Sequence, residues 1–142
     1  MLTDKDQNLI ELLELNARES VASLARKLGV SRTTVQDRLK RLEESGVITG
    51  YQVRLASRAK SGIRAFVEIT VDPALLVSVL AELKHVASIE TLHTVSGKFD
   101  LMAVLRADTP AQIDIQLDKV GSIRGVNKTA SAIILSTKID RS

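Results

Sequence analysis

Residues 22–51 read ASLARKLGVSRTTVQDRLKRLEESGVITGY, and the spacing of caps, glycines and apolar positions in this stretch decides the fold. Val21, Leu24, Ala25 and Leu28 follow the i, i+3, i+4, i+7 pattern of one helix face, with Ser20 placed to cap the start and Gly29 to end it. Only Val30 separates Gly29 from Ser31, which can cap a further helix carrying Val35, Leu39 and Leu42 on its inner face and stopped by Gly46. So little chain between two helices forces a tight bend, the geometry of a helix-turn-helix. At about 100° per residue, the face opposite the apolar positions carries Thr33, Gln36, Asp37, Lys40 and Glu44, with Arg38 and Arg41 on its flank. An ordinary solvated helix is also polar on its outer face, so the surroundings must separate the two readings.

Upstream, Thr3 can cap another helix with Asp6 as its capping-box partner, and Leu9, Ile10, Leu12 and Leu13 supply the buried stripe. Charge is concentrated in the quoted stretch and just beyond it. Residues 1–21 hold two basic and five acidic side chains, residues 22–62 nine and three, and residues 63–142 nine of each. The whole-chain charge of +3 therefore hides a basic segment whose natural partner is a polyanion.

Downstream of Gly46, VITGYQVRLA alternates weakly and predicts a short strand or hairpin, after which SRAKSG is a basic connector. We divide the chain into a helix-turn-helix over 1–50, a strand and linker over 51–62, and a second domain over 63–142. The second domain is predicted to run as a strand (Ile63 to Val71), a helix opened by Asp72 and Pro73 and reaching about His85, and a strand (Ile89 to Val95). After a turn at Ser96 to Lys98 come a strand (Phe99 to Arg106), a helix opened by Thr109 and Pro110, and a last strand (Val126 to Ile139). That order, βαββαβ, is the ferredoxin-like α/β sandwich, so the chain is α+β with an N-terminal winged helix-turn-helix. Helices on one side leave the other sheet face bare. Phe66, Glu68, Thr70, Leu92, Thr94, Leu101, Ala103, Ile133 and Leu135 are expected there, a partly apolar surface suited to a second copy.

Composition removes several classes. There is no cysteine, hence no disulfide, thiol nucleophile or cysteine-ligated metal, which suits a reducing, cytoplasmic compartment. The two histidines, His85 and His93, have no metal-ligand spacing, and neither a metal nor a cofactor is expected. The acidic opening MLTDKDQNLIELLELNARES does not read as a signal peptide, and no apolar run approaches the roughly 20 residues of a membrane span. Tyr51, Phe66 and Phe99 are too few aromatic rings for base-stacking RNA folds.

The opening TDKDQNLIELLELNAR, the quoted helix-turn-helix stretch ending in GVITGY, and the later FVEITV and HTVSGKFDLMAVLR together resemble the leucine-responsive and asparagine-responsive (Lrp/AsnC) transcription regulators over nearly the whole chain. The resemblance implies a DNA-binding domain joined to an effector-binding and oligomerisation domain, dimers that assemble to octamers, and a small effector, often an amino acid. Many members have proline after the cap serine, where this chain has Arg32 followed by Thr33 and Thr34. These residues face the bases, so the departure bears on the target sequence.

With the third helix in the major groove of double-stranded DNA, Arg32 reaches guanine or a phosphate, Gln36 pairs with adenine, and Thr33 touches a thymine methyl or a phosphate; Ser31 and Thr34 belong to the same contact set. Arg38, Lys40 and Arg41 suit backbone contacts. Asp37 either accepts from a cytosine amino group or pairs with Lys40 or Arg41. Arg26, Lys27, Arg54, Arg58 and Lys60 extend the basic surface.

In the hairpin, Gly97 lets backbone approach a ligand and Asp100 offers an acceptor for an ammonium; an ordinary turn with Asp100 satisfying its own backbone is the alternative. With the resemblance, the effector contacts are Thr94, Ser96, Gly97, Lys98, Phe99 and Asp100, joined by Ile133 and Ile134 of the last strand. Two rival functions stand beside this one. A few similar folds are decarboxylases acting on a haem precursor, although the surplus charge sits on the helix-turn-helix rather than in the second domain. A non-specific architectural DNA binder would need the basic segment but no effector domain.

Overall fold

The computed structural model describes residues 1–56 and 61–141. Contacts divide the chain into two compact units, Met1–Arg54 and Leu55–Ser142.

The first unit holds three helices: α1 (Asp4–Leu15), α2 (Val21–Leu28) and α3 (Arg32–Glu44). Each start is fixed locally. Thr3 Oγ1 accepts from the Asp6 amide at 3.1 Å while Asp6 Oδ2 accepts from the Thr3 amide at 3.1 Å, a complete capping box. Ser20 and Ser31 cap α2 and α3 by accepting from Ser23 N and Thr34 N. Between α2 and α3, Gly29 adopts φ 66° and ψ 35°, a left-handed conformation that costs a side-chain-bearing residue about 1–2 kcal/mol. That turn reverses the chain within two residues, so α3 packs back on α2 through Leu24, Ala25, Val35 and Leu42, with Leu9 and Leu13 of α1 closing the core.

The strand or hairpin predicted after Gly46 does not form among the described residues 47–56. Instead the chain folds back on α3: Ile48 N donates to Leu42 O at 3.0 Å, Ile48 packs on the core, and Tyr51 OH donates to Glu43 Oε1 at 3.1 Å. Tyr51, Val53 and Leu55 stay exposed, and among the described residues no strand lies alongside to take up their backbone hydrogen bonds. The predicted connector residues Ser57, Arg58, Ala59 and Lys60 lie outside the described residues.

The second unit is a four-stranded antiparallel sheet, β1 (Ile63–Val71), β2 (Ile89–Thr94), β3 (Leu101–Ala107) and β4 (Val126–Ile133), in the order β2-β3-β1-β4. Two helices follow β1 and β3: α4 (Leu76–Leu83), preceded by a short 3₁₀ turn at Pro73–Leu75, and α5 (Pro110–Gly121). Asp72 and Thr109 cap the two helical segments by accepting from Ala74 N and Gln112 N, with proline in the first turn of each. Ala65, Val67, Ile69, Val71, Leu101, Ala103 and Leu105 meet Val79, Leu83, Ile113 and Val120 in the core. Gly125 turns the chain into β4 at φ 104°, where an added Cβ would lie 2.8 Å from Leu75 Cβ and Val79 Cγ2.

Register corrects the expected bare face. Ala65 pairs with Leu105, Val67 with Ala103 and Ile69 with Leu101, so Leu101 and Ala103 point to the helices with β1's buried residues. Leu92 pairs with Ala103, Thr94 with Leu101 and Ile133 with Ala65, which puts them on the helix side too. The bare face carries Phe66, Glu68 and Thr70 of β1 as expected, but Met102 and Val104 of β3, Thr91 and His93 of β2, and Ala130 and Ala132 of β4. Leu135 lies beyond the sheet. β4 ends six residues before the predicted Ile139 because its partner runs out: Ile134 N makes the last bond, to Arg64 O at 2.8 Å, one residue from the start of β1.

Candidate nucleic-acid interface and ligand hairpin

The cap at Ser31 fixes which side chains the N-terminal half of α3 presents. Ser31 Oγ accepts from Thr34 N at 3.2 Å and lies 2.8 Å from Thr34 Oγ1, so both hydroxyls are engaged in starting the helix. Arg32, Thr33, Gln36 and Asp37 are exposed, and none has a side-chain hydrogen bond or ion pair among the described residues. Val35 behind them is fully buried, which locks the rotation of the helix about its axis.

Three basic residues of the expected surface already have internal partners. Arg41 Nη2 donates to Asp6 Oδ1 at 2.9 Å, Lys40 lies 3.9 Å from Glu44, and Lys27 is paired with Glu19. Asp6 is 3% exposed, and its carboxyl is held below the usual carboxylate range by the Thr3 backbone N–H first, with the Thr3 hydroxyl and Arg41 adding to it against the opposing effect of burial. A carboxylate so placed attracts a guanidinium more strongly than a fully solvated Asp37 does. That closes one outlet foreseen for Asp37: Lys40 and Arg41 both turn elsewhere, and Asp37 is left facing solvent. Arg26, Arg32, Arg38 and Arg54 have no ion-pair partner among the described residues, whereas Arg58 and Lys60 fall outside them.

Sequence reasoning missed Asp6 and Glu19 as the anchors that take up basic residues. Asp6 was legible as a capping-box member, but a contact 35 positions away leaves no local signal.

The hairpin between β2 and β3 brings Thr94, Ser96, Gly97, Lys98, Phe99 and Asp100 to one end of the sheet. Gly97 has φ 112°, and among the described residues beyond its two chain neighbours no heavy atom lies within 4 Å of the place a Cβ would occupy, so the backbone there is open to approach. Lys98 Nζ stands 5.8 Å from the Phe99 ring centroid. Asp100 Oδ2 accepts from Val71 N at 2.8 Å and Asp100 N donates to Ile69 O at 3.0 Å, tying the hairpin to the end of β1. The carboxylate thus serves the backbone of another strand rather than its own.

Ile133 and Ile134 do not join this group. Leu101, at the hairpin end, pairs with Ile69, while Ile133 pairs with Ala65, four residues back along β1 or about 13 Å. β4 runs antiparallel to β1, so its start, not its end, lies nearest the hairpin. Among the described residues no group of three or more His, Asp or Glu side chains is placed to hold a metal ion, and no helix is long and apolar enough to cross a membrane.

Comparison with known proteins places both units. A winged helix-turn-helix DNA-binding model matches residues 2–49, and the Lrp/AsnC ligand binding domain matches residues 64–142. The chain belongs to the Lrp/AsnC family. Similar to it are the HTH-type transcriptional regulator LrpA of Pyrococcus horikoshii, 38% identical over 95% of this chain and 97% of that one, and LrpA of Mycobacterium tuberculosis, 32% identical over 96% and 91%. Among solved structures, the feast or famine regulatory protein of M. tuberculosis complexed with L-methionine matches with a TM-score of 0.88 at 31% identity, covering 99% of this chain and 97% of that one. This Lrp/AsnC protein is therefore an HTH-type transcriptional regulator with a ligand-binding domain. The enzyme reading gives way to it, since the curated relatives are regulators.

Proposed function

We propose that this Lrp/AsnC regulator reads double-stranded DNA through Arg32, Thr33, Gln36 and Asp37 of α3, and that an amino acid bound at the β2–β3 hairpin modulates operator binding or assembly. The observation that carries the first part is that these four side chains are exposed and, among the described residues, unpaired, on a helix whose rotation is fixed by buried Val35. A group with no partner among the described residues meets a base edge without breaking a bond to them first. Arg32 pairs with guanine O6 and N7, Gln36 with adenine, Thr33 with a thymine methyl, and Asp37 accepts from a cytosine amino group. Ser31 and Thr34 set the helix start, which points backbone N–H groups toward a phosphate. Arg38, with Arg26 and Arg54, supplies phosphate contacts; Lys40 and Arg41 contribute less because each already has a carboxylate.

One α3 reads only a few base pairs, so two are required about one helical turn, roughly 34 Å, apart or at a multiple of it. Phe66, 45% exposed on the bare sheet face, with Met102, Val104, Ala130 and Ala132 beside it, supports a homodimer through that face, and dimers would assemble further to an octamer. In this scheme residues 1–50 read DNA, 51–62 connect, and 63–142 sense and assemble, in the cytoplasm where the DNA lies.

The hairpin site combines Thr94, Ser96, the open backbone at Gly97, Lys98, Phe99 and the second oxygen of Asp100. The M. tuberculosis neighbour complexed with L-methionine supports an amino acid as the ligand. Genomic footprinting with and without candidate amino acids, followed by operator binding of Arg32→Ala and Gln36→Ala, tests both parts. Each substitution is expected to cost about 1–3 kcal/mol and to relax preference at one base position. Unchanged selectivity in both variants overturns α3 as the reader, and indifference of footprint and oligomer to all twenty amino acids overturns the effector.

A further inference from the structure

At the end of the sheet away from the hairpin, where β3 gives way to α5, a cleft of about 590 Å³ opens between the β2 edge and α5. Its polar groups are unevenly satisfied. Gln112 Oε1 accepts from Asp108 N at 2.9 Å and Gln116 Oε1 accepts from Ser88 Oγ at 2.9 Å, which leaves both amide nitrogens without a partner among the described residues. Arg106 gives Nε to Glu90 and Nη1 to Ser61 O at 2.9 Å, leaving Nη2 without a partner among the described residues. Glu90 has both oxygens occupied, by Arg64 and Arg106, so it offers the cleft no acceptor. The Asp108 carboxylate has no partner among the described residues. Three unused donors and one unused carboxylate thus share a cleft whose wall includes Ala87 and Ile115, the latter 54% exposed.

We infer that this cleft binds a free α-amino acid, at a site separate from the hairpin. The ligand carboxylate takes Arg106 Nη2 and a glutamine amide, the ammonium takes Asp108, and an aliphatic side chain lies on Ile115 and Ala87. Both ligand charges are needed. A bare anion meets Asp108, and a bare amine meets Arg106. Arg106 also holds the carbonyl of Ser61, just ahead of β1, so a carboxylate drawing on this guanidinium acts where the chain from the N-terminal unit enters the sheet.

The test is calorimetric titration of the full-length protein with each of the twenty amino acids, then with the amide and the deaminated acid of the tightest binder. Asp108→Asn and Asp100→Asn are titrated in parallel, since both are isosteric and both residues are exposed. Asp108→Asn is expected to weaken the amino acid about tenfold or more and to tighten the deaminated acid, whose carboxylate no longer meets a like charge, and the amide is expected to bind about tenfold or more weaker to wild type. A loss in Asp108→Asn that Asp100→Asn does not reproduce supports the cleft, as do separate partial losses in both. An isotherm that changes only in Asp100→Asn leaves the hairpin as the site and overturns the cleft. Equal binding of the amino acid and its deaminated acid, or no binding by wild type, overturns it as well.

Discussion

Removing the Asp6 carboxylate is expected to loosen α1 from α3. The side chain is nearly inaccessible, one oxygen accepting from Thr3 N at 3.1 Å and the other from Arg41 Nη2 at 2.9 Å. Loss of the capping arm costs about 1 kcal/mol. The Arg41 side chain is 62% exposed, so solvent screens the second arm, which we place at about 0.5–1 kcal/mol. Asp6→Ala therefore costs about 1.5–2 kcal/mol, and at about 4–8 °C per kcal/mol for a small domain the N-terminal unit is expected to melt roughly 10 °C lower. Thermal unfolding followed by helix circular dichroism reads this directly. A double-mutant cycle with Arg41→Ala isolates the pair, with an expected coupling of about 0.5–1 kcal/mol. The pH dependence has a defined sign. Because the folded-state pKa of Asp6 lies below its unfolded value, the stabilisation is full above the usual carboxylate range and is lost as pH falls through and below about 4. Asp6→Asn flattens that acid limb. A coupling within about 0.3 kcal/mol of zero, with Arg41→Ala reducing the salt dependence of operator binding, would refute the reasoning and return Arg41 to the phosphate contacts.

Operator affinity is expected to fall steeply with salt, and Arg38→Ala to reduce the slope of log K against log salt by about 0.9 with equal loss on all sequences; Lys27→Ala, already paired with Glu19, is expected to leave that slope unchanged in the same filter-binding series. Gly125→Ala places a methyl 2.8 Å from Leu75 and Val79 and is expected to cost about 2–4 kcal/mol in chemical denaturation, against about 1–2 kcal/mol for Gly97→Ala, where only the positive φ is strained. Glu90→Gln leaves Arg64 and Arg106 directly opposite each other across β1 and β3, and is expected to cost about 1 kcal/mol at pH 7. Burial raises the Glu90 pKa, but Arg106 and then Arg64 outweigh it and hold it low, so the difference between wild type and variant is expected to shrink as pH falls below about 4.

The elements most legible in the sequence were those whose cause lies within one helical turn. Thr3, Ser20, Ser31, Asp72 and Thr109 each accept from a backbone N–H two or three residues on, and a contact that short leaves its pattern in adjacent letters. β1 was legible for a related reason, since IRAFVEITV alternates clearly enough to separate Ala65, Val67 and Ile69 from Phe66, Glu68 and Thr70. β3 was not. Its LMAVLRA is apolar on both faces, so alternation carries no phase, and only pairing with β1 sends Leu101 and Ala103 to the helices and Met102 to the bare face.

The candidate sites divide the same way. By itself the sequence determined that α3 starts at a capped serine and which side chains it turns outward, because a helix with a fixed start and a buried stripe has a fixed opposite face. It also placed Ser96 to Asp100 together in one turn. Only the tertiary structure decided which of the outward basic residues are free. Arg41 is drawn to Asp6, 35 residues away, and Lys27 to Glu19. It alone set Ile133 about 13 Å along β1 from the hairpin end. Helical phase and turn position follow from bonds between near neighbours in the chain, whereas the partner of a charged side chain, and the end of a sheet a strand reaches, depend on segments that meet only after folding.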